Sequence, residues 1–150
     1  MAEEIECDIH TIRRPQRLPL HLSSPEKSMA RSNFRGLKVW TDARELVRDV
    51  YRETQEFPRV EIFGLTQQMR RAAISIVCNL AEGQGRRTPA DGRQFAVIAR
   101  GSAFEIEAQL VIATDLGYID AARAEELIEK SLEVVRMING LIRHYDDEAG

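Results

Sequence analysis

Four stretches of the chain repeat apolar residues at helical spacing, and only short breaks separate them. The first runs from about Leu37 to Glu56, with Leu37, Trp40, Ala43, Leu46, Val47, Val50, Tyr51 and Thr54 on one face. Asp42, Glu45, Arg48, Asp49, Arg52 and Glu53 make the opposite, solvated face. Phe57-Pro58 ends the stretch, because the residue before a proline avoids the α region. Ile62 and Phe63, in the connector that follows, are expected to plug the bundle end. The second stretch spans about Leu65 to Glu82, with Leu65, Met69, Ala72, Ala73, Ile76 and Leu80 inward and Gly83 and Gly85 as its stop. The third starts at Thr88-Pro89, a capping residue followed by proline at the first helical position, and runs to about Leu116. Its inward candidates are Phe95, Ile98, Ala99, Ser102, Ile106, Leu110 and Ala113. The fourth, capped by Asp120, runs from about Ala121 to Tyr145. Four such helices with short links predict an all-α, antiparallel up-down-up-down four-helix bundle over residues 34–146, with 147–150 as its C-terminal end. Residues 1–33, broken by Pro15, Pro19 and Pro25, read as a flexible tail or as a misassigned start ahead of Met29.

Two of these helices carry polar stripes beside their apolar faces. Ser75, Asn79 and Glu82 recur one helical turn apart in the second, and Ser102, Glu105 and Gln109 do so in the third. A polar side chain beside a core costs roughly 1–3 kcal/mol unless it is hydrogen-bonded. The stripes are therefore expected to satisfy each other across the two helices, or to meet a partner. Gly101 sits mid-helix, where glycine costs about 1 kcal/mol relative to alanine, so another backbone is expected to approach there.

The net charge of -3 conceals an asymmetry. Residues 70–101 carry Arg70, Arg71, Arg86, Arg87, Arg93 and Arg100 against Glu82 and Asp91, whereas residues 102–150 carry four basic and eleven acidic groups. Such a basic segment can contact the phosphates of a structured RNA or meet the acidic fourth helix of a neighbouring copy. The aromatic fraction is only 6%, and no aromatic platform accompanies the arginines to stack single-stranded bases. No apolar run approaches the ~20 residues of a membrane span, and Met1–His10 lacks the apolar core of a signal peptide. With Cys7 in the tail and Cys78 in a helix, no disulfide framework or zinc site is indicated, and a reducing cytoplasm fits best. Cys78 is expected to be a small buried thiol.

Catalytic patterns are sparse. His10, His21 and His144 are the histidines, and none follows a glutamate at the spacing of a bundle di-metal site. Glu82 and Glu105 could be imagined as a carboxylate pair, but the favoured reading is that each meets an arginine, an asparagine or a helix end. Ser75 and Ser102 have no histidine nearby in sequence. Gly83-Gln84-Gly85-Arg86-Arg87 allows two readings: a helix stop with a solvated loop, or an anion cradle. No nucleophile, acid and base converge by spacing, so no catalytic residue, metal or cofactor is assigned and the expectation is a non-enzymatic protein.

FRGLKVWTDARELV, FPRVEIFGLTQQMRRAAISIVCNLAEGQGR and FAVIARGSAFEIEAQLVIATDLGYI together resemble the 23S rRNA intervening-sequence protein family of four-helix bundles, over about Phe34 to Tyr145. The resemblance implies a bundle that assembles into a homo-oligomeric ring, typically a pentamer, and a relation to the nucleic-acid-binding accessory proteins of diversity-generating retroelements. Its motif falls on Asn79, Glu82, Gly83, Gly101, Ser102 and Glu105, with no catalytic role attached. Val77 and Cys78 stand where the family usually has proline and alanine, which should straighten the second helix. The first expectation is thus a homo-oligomer that binds structured RNA or a ribonucleoprotein through Arg70, Arg71, Arg86, Arg87, Arg93 and Arg100. The competing expectation is an interaction module with an unknown protein partner and no nucleic-acid role.

Overall fold

The computed structural model describes residues 34–150, and the tail expected over 1–33 lies outside them. Four helices follow one another: α1 (Lys38–Glu53), α2 (Leu65–Gln84), α3 (Pro89–Asp115) and α4 (Ala121–Ala149). Short 3-10 turns, Phe34–Gly36 and Arg59–Phe63, precede α1 and α2. The result is an antiparallel four-helix bundle in which α3 packs most extensively on α2 and α4, and α1 closes the other side against the same two helices. No strand occurs among the described residues. No described helix is long and apolar enough to cross a membrane.

The helix ends follow local chemistry. Thr88 accepts the Asp91 N–H at the start of α3, and Asp120 accepts the Arg123 N–H at 2.9 Å at the start of α4. α3 stops at Gly117, whose φ of 72° suits glycine; Gly117 N–H donates to Thr114 and Tyr118 N–H to Ala113, both at 2.9 Å. α1 ends three residues before the expected Glu56. There Thr54 is buried, its hydroxyl returns to the Val50 carbonyl at 2.8 Å, and the chain turns to bury Phe57. Glu61 ties the connector down, accepting Leu65 N–H at 2.9 Å and the Tyr118 hydroxyl at 3.1 Å. The bond to the Glu61 carboxylate is the main reason the Tyr118 phenol titrates above its ordinary value. α4 continues a turn past Tyr145, where Arg93–Asp146 and His144–Glu148 pairs flank the last turn.

The core is built from Leu46, Met69, Ile76, Leu80, Ile106, Leu110, Leu127 and Ile138, all essentially without solvent contact. Each such side chain contributes about 1.5–3 kcal/mol by leaving water. Along α3 the buried line is mostly small: Gly92, Ala96, Ala99, Ala103 and Ala113 sit there.

Several expectations are corrected. Gly101 is exposed, and a Cβ there would meet nothing within 4 Å. The close approach is at Gly83 and Gly92 instead. A Cβ on Gly83 would lie 3.1 Å from the Gly92 carbonyl oxygen, and one on Gly92 would lie 2.7 Å from the Tyr145 ring. Gly83 is accordingly a packing residue inside α2 rather than its stop. Ile62 and Phe63 plug nothing, being 55% and 83% exposed, because Phe57 and Ile119 are the residues buried near that end. Cys78 faces solvent, one turn along from the half-buried Ser75. Ile98 is exposed and Phe95 half-buried, since neither falls on the line that α3 turns to the core. Tyr51 lies at the bundle surface under the Arg70 guanidinium, 4.8 Å from its ring centroid, rather than in the core.

The glycine assignments give opposite mutational outcomes. Gly92→Ala should lower stability by about 1–3 kcal/mol, because Tyr145 must move. Gly101→Ala should raise it by about 0.5–1 kcal/mol through helix propensity alone. Urea unfolding of the two variants checks both signs.

Candidate functional site

α2 and α3 pack antiparallel along most of their lengths, and the two polar stripes meet at this seam through their serines. Ser75 and Ser102 meet across it with their hydroxyl oxygens 2.8 Å apart. Asn79 donates through Nδ2 to the Ser75 carbonyl at 2.8 Å and lies 3.0 Å from its hydroxyl. The contact between the stripes stops there. Glu82 turns out to an exposed pair with Arg86 one turn later. Glu105 is exposed without an ion-pair partner among the described residues. The Gln109 Oε1 is buried and accepts no hydrogen bond within the described residues. The expected mutual satisfaction therefore covers Ser75, Asn79 and Ser102 and leaves Glu82, Glu105 and Gln109 outside it. Helical spacing puts each set of three on one face of its helix but does not tell how far the two stripes remain in reach of each other.

α3 carries more apolar surface than the bundle covers. Ile98, Ser102, Glu105, Gln109, Ile112 and Leu116 follow one another at alternating steps of four and three residues, a second stripe beside the buried one. Its Ile98, Ile112 and Leu116 are 42%, 48% and 51% exposed. On the opposite exposed edge of α3, Phe104 and Val111 are 47% and 49% exposed.

The six arginines do not share one surface. Arg70 donates to the Thr54 hydroxyl at 2.8 Å, on the α1 side of α2. Arg93 pairs with Asp146 at 2.6 Å, and Arg100 donates to Asn139 at 2.8 Å, both along the α3–α4 seam. Arg86 pairs with Glu82 and lies over the Phe95 ring, 4.5 Å from its centroid. Arg71 and Arg87 are exposed and have no carboxylate partner among the described residues. They sit toward opposite ends of α2, roughly 20 Å or more apart at 1.5 Å per residue. The nearest approach to a cradle is at Arg87, where the α2–α3 link and the end of α4 enclose a polar cleft with Gln84, His144, Tyr145 and Glu148.

Asp49 is a residue that helical period assigned to the solvated face. It is 6% exposed and is paired with Lys130 and with Arg52, with Arg123 at 3.7 Å. Arg123 also binds Glu53 at 2.6 Å. These charges lock α1 to α4. Among the described residues no three His, Cys, Asp or Glu side chains gather as a metal-ligand group.

The fold defines an antiparallel four-helix bundle. The family model described as 23S rRNA-intervening sequence protein matches residues 35–140. The chain belongs to that family. A solved structure from Bacteroides thetaiotaomicron, described as a protein with unknown function from the S23 ribosomal protein family, superposes with a TM-score of 0.63 at 22% identity. The match covers 69% of this chain and 97% of that one, a likeness of fold. No curated protein is significantly similar to the chain.

The seam chemistry separates inner from outer polar residues. Ser102→Ala should cost about 1 kcal/mol of stability by breaking the serine pair. Glu82→Gln should change it by no more than about 0.5 kcal/mol, because its pair with Arg86 is solvent-exposed. Chemical denaturation of both variants, at a fixed protein concentration, checks the contrast.

Proposed function

We propose that this protein is a non-enzymatic homo-oligomeric helical bundle whose copies meet through the exposed edges of α3, and whose assembled surface binds structured RNA or a ribonucleoprotein. The observation that carries the reading is the exposed apolar surface of α3, with Ile98, Ile112 and Leu116 on one edge and Phe104 and Val111 on the other. Gln109 on the first edge supports it: its oxygen has no donor among the described residues, and rotation of this half-buried side chain would bring the amide to a neighbour. Two different edges favour head-to-tail contacts, which close as a ring when the rotation allows. That is in keeping with the pentamer implied by the family. Membership of a family described as 23S rRNA-intervening sequence protein supports the RNA part, as do Arg71 and Arg87, which have no carboxylate partner among the described residues. An exposed Cys78 thiol suits a reducing cytoplasm.

A second reading, an interaction module without nucleic acid, is favoured by a specific observation: Arg70, Arg93 and Arg100 are already engaged within the bundle. The two readings share the assembly and differ in the ligand.

Light scattering tests the assembly. Ile112→Glu and Phe104→Glu should each reduce the particle mass while helical circular dichroism is kept, and an unchanged mass in both would rule the interface out. Salt dependence tests the ligand. If RNA is bound through these arginines, Arg71→Ala plus Arg87→Ala should flatten the slope of log affinity against log salt by about one to two per subunit engaged. An unaltered slope would leave the protein-module reading.

A further inference from the structure

We propose that the cleft between the α2–α3 link and the end of α4 is a binding site for a phosphate group. The cleft has a volume of about 250 Å³ and lies at the end of the bundle where Gly83 and Gly92 bring α2, α3 and α4 together. That is smaller than the usual ~300–1,000 Å³ of a site for a drug-sized molecule, but ample for a tetrahedral oxyanion with a few waters.

Its chemistry is that of a donor set in want of an acceptor. Tyr145 is only 7% exposed, and its ring is wedged against Gly92. Its hydroxyl oxygen accepts from Gln84 Nε2 at 2.8 Å, while the O–H proton has no acceptor among the described residues. Burial holds the phenol above its ordinary pKa, so this group remains a donor at neutral pH. Arg87, across the cleft, has no ion-pair partner among the described residues, and its planar guanidinium can present two N–H groups to one phosphate. Arg86 lines the same cleft but is drawn to Glu82 and Phe95. The cleft also holds a carboxylate, Glu148, which would repel an anion. Its Oε1 lies 3.4 Å from His144 Nε2, a pairing that offsets the repulsion only when the imidazole is protonated. Gln84, Arg87 and Tyr145 thus converge from α2, the link and α4, positions that sequence spacing alone cannot bring together. The site lies apart from the exposed α3 residues of the proposed interface and does not rest on that reading.

Titration of the isotope-labelled full chain with inorganic phosphate, followed by NMR, tests the site. The Arg87 Nε–H and Gln84 side-chain amide signals should shift and saturate. Arg87→Ala should weaken phosphate binding by roughly tenfold or more, as for loss of a bidentate charged contact. Tyr145→Phe keeps the ring against Gly92 and should weaken binding by about fivefold, as for loss of one hydrogen bond to a charged group. Glu148→Gln should tighten it. Arg59→Ala, at the other end of the bundle, should leave it unchanged. Shifts that never saturate, or an equal loss in Arg59→Ala and Arg87→Ala, would overturn the proposal. Should Tyr145→Phe unfold, the exposed Arg87 still carries the test. A short RNA hairpin that displaces phosphate in an Arg87-dependent way would identify the RNA backbone as the source. Retention of phosphate in its presence would identify the free ion.

Discussion

The bundle depends on α3 being narrow along the line it turns inward. Gly92, Ala96, Ala99, Ala103 and Ala113 leave room for α2 on one side and α4 on the other, so one helix serves as the common partner of both. Larger residues on that line would force the flanking helices apart and break the Ser75–Ser102 contact, which needs the two backbones close. The bulk that fills the core comes instead mainly from Leu46, Met69, Ile76, Leu80, Leu127 and Ile138 on the surrounding helices, with Ile106 and Leu110 from α3 itself. Small facing large is the usual route to dense packing without strained rotamers.

α1 is held by a different kind of contact. It shares less surface with its neighbours, and its link to α4 runs through Asp49, which draws in Lys130, Arg52 and Arg123. A largely buried charge with several partners adds little net stability, since desolvation offsets the attraction, but it strongly disfavours any alternative register that leaves it unpaired. Ser131 acts similarly on the other side of α4, donating to the Ala103 carbonyl at 3.0 Å in the core. The helix order is therefore set by apolar packing, and the sliding of α4 against α1 and α3 is fixed by these polar pins.

What was legible in the sequence follows from what is local. Helix number, caps and the antiparallel order depend on residues within a turn or two of each other, and Thr88, Asp120 and Gly117 could be recognised on sight. Propensity shows that a glycine is costly but not which face it occupies, so helical position points to Gly101 for the close approach that Gly83 and Gly92 make. Asp49 has the spacing of a solvated residue, and only the position of α4 turns that face inward. The Gln84–Tyr145 bond joins residues 61 apart in the chain, and no periodicity reveals such a pairing. Ile98 was assigned to the core because apolar residues at helical spacing normally belong there. α3 has more of them than a single bundle can cover.

That surplus also bears on the polar stripes. Had Ser102, Glu105 and Gln109 served only to lock α3 against α2, all three would have partners across the seam. Only Ser102 does. Glu105 and Gln109 lie instead between Ile98 on one side and Ile112 and Leu116 on the other, a mixture of apolar contact and directional polar groups that can give a helix face both affinity and register toward another helix. A purely apolar edge would associate without choosing an orientation. A purely polar one would remain in water. In the head-to-tail assembly proposed above, this edge would meet the Phe104 and Val111 edge of the next copy, so each copy carries both halves of the contact.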